Sequence, residues 1–271
     1  MLITILQVFV VLIFLVLLIT IVLKMTRKGQ FVDPLPDHFP GLLNDHVDFY
    51  RQLDEAGKKI FEQKLQQFYA DVRITGINTD VEDLDQVLIG ASAVIPVYSF
   101  KEWEYTDLHE VLLYPGAFSR DFDQVGYHRS ITGMVGTGPM QNVMILSKQA
   151  LRYGFLDRES KSNAAIHEFA HLIDKIDGSL DGVPEILLSR QYVMPWQKLV
   201  QETMEAMRSG ESDIDLYGLT NQAEFFAVIT EYFFKRPDLF QQKHPQLFAM
   251  MEQMFLRKEQ YNRHSTVSSN N

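Results

Sequence analysis

His167, Glu168 and His171 form the pattern HExxH inside the segment Asn163 to Asp174. On a helix, residues four apart share one face, so the two imidazoles can close on one zinc ion. Glu168 then stands beside the metal, where it can take the proton of an attacking water. That is the chemistry of metal-assisted peptide hydrolysis, a Lewis acid working with a general base. Ile166, Phe169, Ala170, Ile173 and Ile176 form an apolar stripe that would bury such a helix and leave its polar face as the wall of a site. The chain has no cysteine, which excludes disulfides, thiolate metal sites and cysteine nucleophiles, so any metal must be held by His, Asp or Glu. A catalytic zinc takes three protein ligands and leaves a position open. A third histidine six positions after His171 is ruled out, because Asp177 stands there. A carboxylate is left. Glu224 and Glu231 lie seven apart on one face of the apolar helical pattern Gln222 to Lys235. Each also has a plainer role: Asn221 and Glu224 fit a capping box, and Glu231 fits a surface carboxylate. Asp174, three residues after His171, either orients a ligand or is an ordinary acid at the helix end.

The elements that must carry these residues belong to an α+β chain. It has 271 residues, enough for one or two domains, and 46% of them are hydrophobic, which argues against disorder. With 25 basic and 35 acidic residues the net charge is −10, which disfavours nucleic acid as a partner. Residues 44–72 have a helical period, Val87 to Ile95 is apolar and rich in small residues, and Val111 to Tyr114 and Val143 to Leu146 read as short strands. Helical patterns return at residues 162–175, 196–207, 222–235 and 246–258. The strand Val143 to Leu146 is expected to lie beside the cleft and to pair with an extended peptide.

The N-terminus differs from the rest. Leu2 to Leu23 is one apolar run whose only polar members are Thr4, Gln7 and Thr20. As a helix it would reach about 33 Å, enough to cross a hydrocarbon core of about 30 Å. Its flanking cations, Lys24, Arg27 and Lys28, follow the run, which is wrong for a cleaved signal peptide and places the rest of the chain on the cytoplasmic side. The expected organisation is a transmembrane anchor at 1–23, a Pro-containing linker at 24–40, a catalytic domain at 41–264 and a disordered polar tail at 265–271.

These residues resemble the Mlc titration factor A family of zinc peptidases, which is also similar around its site to the catalytic domain of anthrax lethal factor. The resemblance rests on His167 to Asp174, Asp177-Gly178, Asp181-Gly182-Val183-Pro184, Asp215 to Tyr217, Glu224 to Val228 and Glu231 to Phe234, and weaker likeness extends over most of residues 44–258. It implies a zincin-like domain, mostly helical with a small sheet, and zinc held by His167, His171 and Glu224. Glu168 is implied as base and acid, and Tyr217 as a hydrogen-bond donor to the oxyanion. Aminopeptidase activity and a regulatory, repressor-type protein partner are further implications. The chain departs from the family pattern at Gln222, where proline is usual, and at Asp181, where asparagine is usual. Asp174 and Glu231 are expected around the ligands, Glu231 as an orienting group or a contact to a substrate amine.

The expected function is therefore that of a single-pass membrane-anchored zinc metallopeptidase facing the cytoplasm, at the inner membrane if the source is bacterial. The alternative is a non-catalytic zinc-containing module that holds a regulatory partner at the membrane. Glu168 and Tyr217 favour the enzyme, because a structural zinc closes its fourth position with another ligand and needs neither.

Overall fold

The computed structural model describes residues 33–125, 129–136 and 138–256, together with residues 9 and 13–15. The anchor at 1–23 apart from those four residues, the first part of the linker and the tail at 265–271 lie outside the described residues. Among the described residues no helix is long and apolar enough to cross a membrane.

The unit that begins at Leu35 opens with three helices, α1 (Phe39–His46), α2 (Asp48–Arg51) and α3 (Glu55–Asp71). The helical period of residues 44–72 is thus broken into pieces, with Asp54 capping α3 by accepting from the Gly57 N–H at 2.7 Å. Helix α1 starts inside the segment expected to be linker up to residue 40, because Phe39 is already buried in the core. Strand β1 (Arg73–Gly76) leads to α4 (Asp83–Val97), whose start is a capping box between Glu82 and Asp85. The apolar small-residue run is this helix, and nearly all of it is buried. Its Gly90 is needed for close packing, since a Cβ there would come within 2.2 Å of Leu65 on α3.

Strands β2 (Glu110–Tyr114), β3 (Gly133–Val135) and β4 (Val143–Ser147) complete a four-stranded sheet of order β1-β2-β4-β3. The pairs β1/β2 and β2/β4 are parallel, and β3 runs antiparallel to β4 with Gly133 opposite Leu146. Helix α5 (Lys148–Leu156) follows at once, capped by Ser147. Next come α6 (Ala164–Asp174), α7 (Arg190–Arg208), α8 (Gln222–Lys235), α9 (Pro237–Lys243) and α10 (Pro245–Phe255).

Helix α6 lies between two apolar clusters. Its Ile166 and Phe169 join the core built from α1, α3, α4 and the sheet, while Ala170 and Ile173 join that of α7 to α10. The same helix therefore has apolar contacts on two sides, and its polar face is held towards α8 and β3. The fold is a mostly helical α+β domain with a small mixed sheet.

Candidate metal centre

Helix α6 begins at Asn163, whose side-chain oxygen accepts from the Ala165 and Ile166 N–H groups at 3.1 Å each. A cap of this kind stabilises a helix by about 1 kcal/mol and fixes where its first turn starts. Helix α8 begins at Asn221, which accepts from the Glu224 N–H at 2.9 Å. Half of the expected capping box is therefore present, but the Glu224 carboxylate turns to the histidines. His167 Nε2 lies 2.9 Å from Glu224 Oε2 and 3.1 Å from His171 Nε2, and His171 Nε2 lies 3.3 Å from the same carboxylate oxygen. Among the described residues these three are the one group of His, Asp and Glu whose ligand atoms converge.

Glu231 is buried and has both oxygens engaged. Oε1 lies 2.7 Å from His167 Nδ1, and Oε2 accepts the Asn163 N–H at 2.5 Å. An ionised carboxylate can only accept, so His167 carries its proton on Nδ1 and leaves a lone pair on Nε2. That lone pair faces a carboxylate oxygen and a second imidazole nitrogen. Only a cation, a metal ion or protons in its place, reconciles three such atoms. A tetrahedron of ligands 2.0–2.1 Å from zinc has edges of about 3.3–3.4 Å, close to the distances found. In the metal-free protein protons take this role. Burial disfavours a charged His167, yet Glu231 and Glu224 outweigh it and hold its pKa well above the usual histidine value. Burial likewise opposes ionisation of Glu224, and the two histidines overcome it, holding its carboxyl at about 2. The donor set fits a zinc ion held by two imidazoles and a carboxylate.

Replacing Glu231 by Gln removes the charge that orients His167 and raises its basicity. Metal affinity is expected to fall by about 10–100-fold. Competition with a zinc chelator measures this, and unchanged affinity would leave Glu231 without an orienting role.

Glu168 is 6% exposed, and its pKa is raised by burial, with His167 and His171 working in the opposite direction. A carboxylate shifted upwards is better matched to proton transfer near neutral pH. Tyr217 sits in a short helical turn, Leu216–Leu219, with its ring 5.8 Å from that of His167. It is 56% exposed, and burial and Glu224 raise its pKa, so its hydroxyl stays a donor. Asp174 is wholly buried. Its Oδ2 accepts the Gly182 N–H at 2.8 Å, while its Oδ1 and the Nδ1 of His171 have no partner among the described residues.

Asp174 gives a pH-dependent expectation. Burial pushes its carboxyl up to about 7 from 3.8, with Asp181 and Asp177 adding to the shift and the Gly182 N–H opposing it. The folded chain then holds a proton that the unfolded chain releases, so this group favours folding most at low pH and progressively less as pH climbs towards about 7. Asp174→Asn lacks that slope. Its stability relative to wild type should rise between about pH 4 and pH 7 by up to about 4 kcal/mol. Thermal denaturation of the metal-free proteins reads the slope, and a flat difference contradicts it.

Gly133 on β3 was not among the residues expected at the site. A Cβ there would lie 2.6 Å from Glu168 Oε1, so the strand passes directly over the Glu168 carboxylate and only glycine leaves room. Sheet order also corrects one expectation. Strand β4 is bonded on both sides, by β2 and β3, and offers no edge to a peptide. Strand β3 does. Thr132 O and Gly136 N are spent on β4, and alternation along a strand turns the backbone groups of Gly133 and Val135 to the opposite edge.

A family model described as glucose-regulated metallo-peptidase M90 matches residues 23–256. An uncharacterized protein of Synechocystis sp. is 30% identical over 240 residues, covering 84% of this chain and 87% of that one. Mlc titration factor A of Pectobacterium atrosepticum is 30% identical over 189 residues, covering 64% of this chain and 68% of that protein. Mlc titration factor A of Escherichia fergusonii is 31% identical over 189 residues, covering 65% and 69%.

Proposed function

The chain belongs to the glucose-regulated metallo-peptidase M90 family, and on that footing we propose that it is a membrane-anchored zinc peptidase whose metal is held by His167, His171 and Glu224. The observation that carries this reading is the convergence of two imidazole nitrogens and a carboxylate oxygen within 3.3 Å of one another, with His167 oriented by Glu231. Zinc bound there supplies Lewis acidity, which polarises an amide carbonyl and makes water a better nucleophile at neutral pH. Glu168 takes the proton of the attacking water and delivers it to the leaving amine nitrogen, the same carboxyl serving as base and then as acid. The Tyr217 hydroxyl donates to the oxyanion as it develops. The outward backbone groups of Gly133 and Val135 bind the substrate as an added strand, which brings the scissile carbonyl past Glu168.

Gly133→Ala tests that arrangement. The methyl group displaces the Glu168 carboxylate, so turnover should fall by about 10-fold or more, since small misplacements of reacting groups cost up to about 100-fold. Zinc content should be kept. Full turnover in this variant would place the base elsewhere.

The anchor reading is supported by the apolar run Leu2 to Leu23 and by the start of the family match at residue 23, where that run ends. The cations Lys24, Arg27 and Lys28 support a cytoplasmic catalytic domain. The name Mlc titration factor A, carried by relatives, is the ground for proposing a regulatory protein partner in addition to a peptide substrate. Hydrolysis of paired peptides with free and acetylated N-termini by the zinc-loaded full chain separates the activities. Cleavage confined to free N-termini supports an aminopeptidase, equal cleavage of both overturns that part, and no cleavage of any peptide by the zinc-loaded chain counts against the peptidase.

A further inference from the structure

We infer that Asp174 and Gly182 are positioning residues for the metal centre, and that the turn they hold sets where α8 presents Glu224 to the two histidines. The inference rests on the reading of His167, His171 and Glu224 as metal ligands.

Two helices must meet with ångström accuracy here, because ligand distances tolerate only about ±0.2 Å. Glu231 supplies one fixed point, tying the middle of α8 to His167 and to the Asn163 N–H at the start of α6. That single polar tie leaves the tilt of α8 to non-directional apolar packing against α6 and its neighbours. Glu224 lies seven residues earlier, about 10 Å along the helix, so a small tilt about Glu231 would carry it away from the metal.

The second fixed point is Gly182. Its N–H donates to Asp174 Oδ2 at 2.8 Å, at the end of α6, and its carbonyl accepts from Trp196 Nε1 on α7 at 2.7 Å. Asp174 and Trp196 are both fully buried, so the peptide groups on either side of Gly182 are gripped inside the protein. Gly182 has a φ of +76°, and a Cβ on it would lie 2.2 Å from the Gln222 carbonyl oxygen and 2.9 Å from the Ala223 nitrogen. Backbone thus rests on backbone at the Gln222–Ala223 peptide, in the turn of α8 that carries Glu224. Asp174 at the end of α6 holds Gly182, and Gly182 supports the first turn of α8. The two ligand-bearing helices are joined at both ends of the site, by Glu231 at one and by this turn at the other.

The test uses the full-length chain, stripped of metal and titrated with Zn²⁺ against a chromophoric chelator, as wild type and as Asp174→Asn, Asp174→Leu and Asp174→Ala. Circular dichroism of each metal-free protein reports folding. Leu fills the volume of Asp without an acceptor, so it remains informative if the cavity left by Ala prevents folding. Folded Leu and Ala variants should bind zinc about 10-fold or more weakly, the range seen when a partner of a metal ligand is lost. Asn, whose amide oxygen can accept the Gly182 N–H, should restore affinity to within about threefold of wild type. Wild-type affinity in a folded Leu or Ala variant overturns the inference, and so does an Asn variant as weak as Leu. Glu224→Gln is titrated in parallel. If it binds zinc like wild type, the ligand assignment itself is wrong, a failure separate from that of Asp174.

Discussion

Replacing Glu168 by Gln should abolish most turnover while leaving zinc bound. The side chain keeps its size and its place under Gly133, so the fold and the ligand cluster are not disturbed. What is lost is the ability to accept a proton. General base catalysis contributes about 10²–10⁴-fold, equivalent to about 2.7–5.5 kcal/mol of barrier. In the proposed mechanism the buried Glu168 both takes the proton and returns it to the leaving amine, which places the expected loss in the upper half of that range. Initial rates with a saturating peptide, together with zinc content by mass spectrometry, give both quantities. A Gln variant that keeps its rate would remove Glu168 from the chemistry.

Glu224→Gln should fail differently, by losing the metal. Glu224 supplies the only negative charge among the three converging groups, and a neutral amide in its place leaves two imidazoles to hold a dication. The expected loss of zinc affinity exceeds about 100-fold, more than the loss expected for Glu231→Gln, because a ligand is removed rather than the partner of a ligand. The order of the two effects is itself a test. Should Glu231→Gln strip the metal while Glu224→Gln retains it, the roles of the two carboxylates are exchanged.

Much of the site was legible in the sequence because a helical repeat converts spacing into geometry. The i, i+4 spacing of His167 and His171 and the seven-residue spacing of Glu224 and Glu231 each place two groups on one face, and α6 and α8 form over the expected residues. Spacing made the two carboxylates candidates without dividing their labour, and only the family resemblance implied Glu224 as the ligand. The division depends on how α8 crosses α6, a tertiary fact that puts Glu224 on the Nε2 side of His167 and Glu231 on the Nδ1 side. The roles of Gly133 and Gly182 were illegible for a related reason. Each acts through what its missing side chain allows, against Glu168 and against the Gln222–Ala223 peptide, and a glycine's neighbours cannot be read from its own position. Strands β1 and β3, of four and three residues, are too short to show alternation. Helix α7 begins at Arg190, ahead of the expected segment, because Pro195 inside its first turns masks the helical pattern there.

The most direct test of the account is a zinc titration of the metal-free full-length chain, followed by peptide turnover at each addition. Turnover should rise linearly and stop at about one zinc per chain, with Glu168→Gln taking up the same zinc but gaining no activity. Turnover that is already complete without zinc, or zinc that binds at about one per chain without bringing any peptide hydrolysis, would contradict it.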